Sequence, residues 1–206
     1  SPLSAGGLYF PHSGWVSSAD WCAALYSLSG AELWLNTKVE SLQQSQNSTQ
    51  TGNLTQGWQL KLTGDHTGLY TFDAVVVANA NSAQDLLPGQ SIPLKAIRGQ
   101  VSYVETAEEP CAKTCVGTAQ SPALVLCATG YVTPAKDGVL AVGASYNLHT
   151  ADTQLSNQDH ADNLGRLSEI LPSNKGLGIG SIIGGRVGFR AVTPDYLPLV
   201  GQLADE

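Results

Sequence analysis

Charge is scarce in this sequence. Asp, Glu, Lys and Arg make up 13% of 206 residues, and the balance is acidic, at a formal net charge of -7. A nucleic-acid-binding surface ordinarily shows as a basic patch or an excess of Lys and Arg. Neither is visible, so any nucleic-acid contact must use a local patch or another part of a longer protein. No run of about 18 apolar residues occurs, so no membrane-spanning helix is expected. No basic-then-apolar leader precedes Gly6-Gly7, and the expected location is the cytoplasm. Cysteine is limited to Cys22, Cys111, Cys115 and Cys127. Cys111 and Cys115 form a C-x3-C pair without a second pair at zinc spacing, so reduced structural thiols are expected. His12, His66, His149 and His160 do not cluster with other ligand types, and no metal site is expected. Neither a G-x-S-x-G elbow nor a Walker glycine-lysine pattern occurs, which leaves hydrolase and nucleotidase readings unsupported. The dinucleotide fingerprint G-x-G-x-x-G after a strand is absent as well.

Hydrophobic residues make up 42% of the chain, enough for a real core. A helix is predicted after an N-cap at Ser17 or Ser18, with Trp21, Leu25 and Leu28 on one face and Gly30 as the stop. Residues 31–42 read as a strand. The polar stretch 43–57 reads as a mobile hairpin loop, which also accounts for the glycosylation-like tripeptides at Asn47 and Asn53. Residues 58–62 alternate as a half-buried strand, and the next strand begins at Leu69. Asp73 to Ala78 is a continuous apolar run, the pattern of a strand covered on both faces in a parallel α/β sheet. Small side chains follow it at Ala78-Asn79-Ala80-Asn81, where a ligand can approach backbone N–H groups.

The pattern changes after Pro93. Residues 94–104 and 111–126 read as extended, antiparallel-type segments. Residues 130–134 and 139–143 flank the turn Lys136-Asp137-Gly138, a hairpin signal. A helix is predicted over 157–171, with Leu164, Leu167 and Leu171 on one face. Ser156 and Asp159 would form its capping box and Pro172 would end it. His160 falls in its first turn. A last strand is expected around 186–190.

Several phrases resemble one family. Arg98-Gly99-Gln100, the stretch from Val187 through Arg190, Thr193, Asp195 and Pro198 to Gly201, Gly7 to Leu25, and Asp73 to Ala80 are similar to segments of the D-amino-acid-oxidase and glycine-oxidase superfamily. Gly7 to Val16, Ile97 to Ser102, Gly130 to Ala135, Gly143-Ala144-Ser145-Tyr146 and Thr193 to Pro198 resemble most the oxidase half of bacterial bifunctional enzymes that make 5-methylaminomethyl-2-thiouridine at the tRNA wobble position. Ser18 stands where the wider family has proline, and Asn79-Ala80 replaces its Ala-Gly.

The resemblance implies an α/β (α+β) fold. An antiparallel-sheet substrate domain would comprise residues 1–16 and 94–186. A partial FAD-binding, Rossmann-like domain, truncated at both ends, would comprise 17–93 and 187–206. The start at Ser1, the end at Glu206 and the missing glycine fingerprint raise the expectation of an internal piece that does not hold flavin alone. The implied activity is FAD-dependent removal of a carboxymethyl group from the wobble uridine, by hydride transfer and imine hydrolysis, giving glyoxylate. The implied partners are tRNA and a fused SAM-dependent methyltransferase.

By that resemblance Arg190 would grip the substrate carboxylate, as a guanidinium can with two parallel hydrogen bonds; a local ion pair, for instance with Asp195, is the plainer account. Tyr131 would line the site or serve as an aromatic core residue. The implied cofactor set is Val39, Ala78, Asn79, Arg98, Asp195, Leu197 and Pro198. A structural ion pair explains Arg98 equally, and plain packing explains Val39, Ala78 and Asn79. Two other functions stay open: an oxidase of free glycine or N-methylglycine, and a non-catalytic recognition module.

Overall fold

A computed structural model describes residues 6–48, 54–106, 121–171 and 178–203. The chain is a mixed α/β protein built on two antiparallel sheets. It divides into two compact units, Ser1–Ser18 with Ala96–Arg190, and Ala19–Lys95 with Ala191–Glu206. The three crossings fall at 18/19, 95/96 and 190/191; the sequence placed them at 16/17, 93/94 and 186/187.

The first unit holds the five-stranded sheet, apart from Lys95, Ala191 and Val192, in the order β5-β6-β7-β4-β8. Its strands are β4 (Lys95–Glu105), β5 (Leu126–Cys127), β6 (Tyr131–Val132), β7 (Val139–Gly143) and β8 (Ile182–Val192). The β6–β7 hairpin forms as its turn chemistry dictates. Asp137 and Gly138 both take positive φ, 52° and 75°, as the hairpin turn that matches strand twist requires. Lys136 and Val139 exchange both backbone hydrogen bonds across it at 3.0 Å. Helix α3 runs Asn157–Ile170, and Ser156 caps it by accepting from the Asp159 N–H. Pro172 lies outside the described residues.

Strand alternation sorts β4 into two faces. Arg98, Gln100, Ser102 and Val104 form one face, and all four are buried. Val104 joins Val132, Leu140, Val142, Leu164, Leu167, Ile170 and Leu171 in the apolar core between sheet and α3. Arg98, Gln100 and Ser102 meet the polar first half of the helix and its cap: Asp159, Ser156, and His160 with Asn163. Gly99, Val101 and Tyr103 point to the opposite face. Register pairs Tyr103 with Ala141 and Tyr131 with Gly143, so these residues share the face turned away from α3.

The second unit contains α1 (Ser18–Ser29), β1 (Thr37–Ser48), β2 (Leu54–Gly64), β3 (Gly68–Phe72) and the short α2 (Ala83–Leu86), apart from Ser18 of α1. Gly30 ends α1 at φ 66° as expected. Trp21, Leu25 and Leu28, read as a core face, are exposed, because no described residue covers them.

Two expectations need correction. Residues 43–57 are not simply a loop. Gln43 to Ser48 pair in register with Gln59 to Leu54, and the strand itself starts at Thr37 rather than Ala31. Strand pairing is made by backbone groups and does not require apolar side chains, so the polar composition hid it. The run Asp73 to Ala78 is not a strand, and Val76 is 89% exposed. A parallel strand depends on neighbours at both edges, and no described strand pairs with it. The segment 107–120, with Cys111 and Cys115, lies outside the described residues, as does Asn53.

Candidate carboxylate-binding site on the open face of the five-stranded sheet

Arg190 projects from β8 onto β4, its neighbour in the sheet. Its guanidinium lies over Gly99, on the face away from α3. Nη1 donates to the Ser145 carbonyl at 3.3 Å, and Cζ sits 5.6 Å from the centre of the Tyr146 ring, within cation–π range. Ser145 is itself held firmly. It is buried, its N–H donates to the Gln100 carbonyl at 3.1 Å, and its Oγ accepts from the Gln100 N–H at 2.9 Å. Among the described residues, no ion pair joins Arg190 to a carboxylate. Asp195, the partner in the plainer account, accepts from the Leu197 N–H at 3.1 Å within its own segment.

Tyr131 lies on the same face. A methyl group on Gly143 would sit 3.0 Å from its Cζ and Oη, so the ring covers that glycine. Burial pushes the Tyr131 phenol up from its ordinary range, opposed by the positive charge of Arg190. The phenol therefore stays protonated at neutral pH and keeps a hydrogen to donate. A guanidinium with free N–H groups and a neutral phenol on one half-open face suit a small carboxylate.

Arg98 plays another part. It is 1% exposed. Nη1 pairs with Asp159 Oδ2, Nε donates to the Asp152 carbonyl at 2.7 Å, and Nη2 donates to the Gln154 carbonyl at 2.7 Å and to Gln100 Oε1 at 3.3 Å. Of the two readings open in sequence, the geometry provides the structural ion pair. His160, buried, meets Ser102 Oγ through Nδ1 at 2.8 Å and is equally a packing group.

The other six residues of the implied cofactor set fall in the second unit. Val39 is half-buried in β1 beside a register shift. Ala78 and Asn79 are exposed in the coil before a single 3-10 turn at Ala80–Ser82. Asp195, Leu197 and Pro198 are exposed. Thr193 Oγ1 donates to the Leu197 carbonyl at 2.8 Å, so the polar groups of that segment are used within its own turn. The hydrogen bonds from Leu197 and Thr193 hold the Asp195 carboxyl below its usual range. A flavin dinucleotide needs an enclosed cradle with backbone N–H groups aimed at its phosphates. These residues do not fit FAD by themselves.

Among the described residues there is no group of three or more His, Cys, Asp or Glu able to hold a metal, and no helix long and apolar enough to cross a membrane. Cys22 and Cys127 are free thiols. Sequence reading missed Gly99, Ser145 and Tyr146 as parts of the Arg190 site. The signals for them were the phrases Arg98-Gly99-Gln100 and Gly143-Ala144-Ser145-Tyr146, and nothing in either says which strand its neighbours come from.

Residues 1–206 match the family described as DAO, FAD dependent oxidoreductase. The chain is 34% identical over 203 residues to the "tRNA 5-methylaminomethyl-2-thiouridine biosynthesis bifunctional protein MnmC" of Saccharophagus degradans, covering 97% of this chain and 26% of the relative. It is 35% identical over 213 residues to the protein of the same name from Burkholderia orbicola, covering 100% of this chain and 29% of that one. The chain thus spans less than a third of these curated relatives. Among solved structures, glycine oxidase from Geobacillus kaustophilus shares the fold at a TM-score of 0.67 and 23% identity, over 90% of this chain and 44% of its own. The match along its whole length makes this chain a member of the DAO family of FAD-dependent oxidoreductases.

Proposed function

We propose that the chain is part of a longer FAD-dependent amine oxidoreductase that acts on the carboxymethylaminomethyl group of a wobble uridine in tRNA, with or without 2-thiolation. The products are the aminomethyl uridine and glyoxylate. The observation that carries this is Arg190, braced by Ser145 and Tyr146, with no carboxylate paired to it among the described residues. The similarity to relatives named for tRNA thiouridine biosynthesis points the same way.

The substrate group, R–NH–CH2–COO−, carries its carboxylate one bond from the carbon to be oxidised. Loss of two electrons and two protons gives the imine, water adds to it, and the C–N bond breaks with its electron pair going to the amine. FAD is the two-electron acceptor that defines the family. The residues of this chain bind and orient. Arg190 grips the carboxylate with two N–H groups, and Tyr131 donates one hydrogen bond and walls the site. Holding the reacting carbon in one position converts binding into rate.

In this reading the first unit is the substrate side and the second contributes to the cofactor side. The acidic balance of the chain leaves the main tRNA contacts to other parts of the parent, which carries a fused SAM-dependent methyltransferase.

The full-length protein should convert tRNA bearing carboxymethylaminomethyl uridine to the aminomethyl form with one glyoxylate per site, followed by mass spectrometry of the nucleosides. Oxidation of free glycine or N-methylglycine with no reaction on the tRNA would replace this reading with a small-amine oxidase. The 206-residue chain alone should purify colourless, because the described residues of the implied cofactor set form no cradle for FAD; flavin absorbance near one equivalent would contradict that.

A further inference from the structure

We propose that Gly99 is a positioning residue for Arg190: its missing side chain is the floor on which the guanidinium lies. The inference rests on the carboxylate reading above and extends it to a residue that touches no substrate. A methyl group at Gly99 would stand 2.3 Å from Arg190 Nη1, 2.8 Å from Cζ and 2.9 Å from Nη2. All three atoms crowd one point, so the guanidinium lies across the glycine rather than passing beside it. Gly99 is buried, and its φ lies outside the positive region that disfavours side chains. The backbone there accepts alanine. What alanine displaces is the far end of a flexible side chain, which can swing away without disturbing the sheet.

The rest of the cradle is directional. The Ser145 carbonyl holds Nη1 from one side, and the Tyr146 ring lies near Cζ. A guanidinium lifted from Gly99 loses this register and no longer presents its paired N–H groups to a carboxylate. Tyr131 follows the same design, its ring lying over Gly143, so both polar groups of the site rest on glycines of neighbouring strands. Opposite Gly99, Arg98 and Gln100 anchor β4 to α3 through buried polar contacts, which keeps the floor itself in place.

The test uses the full-length protein with N-methylglycine as probe, followed by ligand-observed NMR, in four forms: unaltered, Gly99→Ala, Arg190→Ala, and both together. Gly99→Ala should weaken binding roughly 10-fold or more, comparable to Arg190→Ala, as loss of a charged hydrogen-bonding pair implies. The double variant should bind no more weakly than Arg190→Ala alone, because Gly99 acts through Arg190. Gly99→Ala should melt within about 4 °C of the unaltered protein. If Arg190→Ala binds the probe as well as the unaltered protein does, the carboxylate reading fails and this inference with it. If Arg190→Ala weakens binding and Gly99→Ala does not, or if Gly99→Ala melts far lower, the inference alone is overturned and Gly99 serves only the packing of the sheet.

Discussion

Replacing Arg190 with alanine in the full-length protein is expected to slow oxidation of the carboxylated amine roughly 10- to 100-fold or more, while flavin stays bound. Arg190 is exposed and its contacts are the Ser145 carbonyl, the Tyr146 ring and the Gly99 floor. Its removal breaks no buried ion pair, so the fold should survive. Binding and alignment of the carboxylate should fail together, lowering the single-turnover rate as well as affinity. Arg190→Lys should recover only part, because a point charge lacks the planar fork. Single-turnover flavin reduction with flavin content checked by absorbance is the measurement. Unchanged reduction kinetics in the alanine form would remove Arg190 from the site.

The second large effect falls on stability. Arg98→Ala leaves the Asp159 carboxylate buried without its cation, and a loss of about 3–5 kcal/mol is expected from urea unfolding of the chain. Arg98 also donates to two backbone carbonyls, of Asp152 and Gln154, in the approach to α3. A loss below about 1 kcal/mol, the range of surface pairs, would show that the pair carries little.

The pH dependence has a definite sign. Burial raises the Asp159 pKa, but hydrogen bonds from Arg98, Asn147 and Ser145 and the Arg98 charge outweigh it, and the net shift is downward. A carboxyl lowered on folding contributes its stability above its unfolded pKa, about 3.9. That contribution is lost as pH falls through the lower folded value. The unaltered chain should therefore lose stability on acidification below about pH 4, and the Arg98→Ala chain should lose less of it over that window.

Local chemistry determined much of this protein. The positive φ of Asp137 and Gly138, the Ser156 cap and the αL stop at Gly30 each depend on a few adjacent residues, and each is legible in the amino-acid sequence by itself. So is the apolar stripe of α3, because 3.6-residue periodicity needs no partner to be seen. The family too is legible, through phrases spread along the chain.

Tertiary pairing decided the rest. The polar segments 43–48 and 54–57 and the apolar run 73–78 exchanged roles, since a strand exists by virtue of its neighbour's hydrogen bonds rather than its own hydropathy. Arg98 and Arg190 looked alike as family arginines. One faces α3 and is consumed by Asp159, while the other lies on the opposite face with no carboxylate partner among the described residues. That difference is set by which strand lies beside β4 and which face each side chain takes. A sequence lists neighbours along the chain, whereas Gly99 and Arg190, like Tyr131 and Gly143, become neighbours only when strands distant in sequence share a sheet.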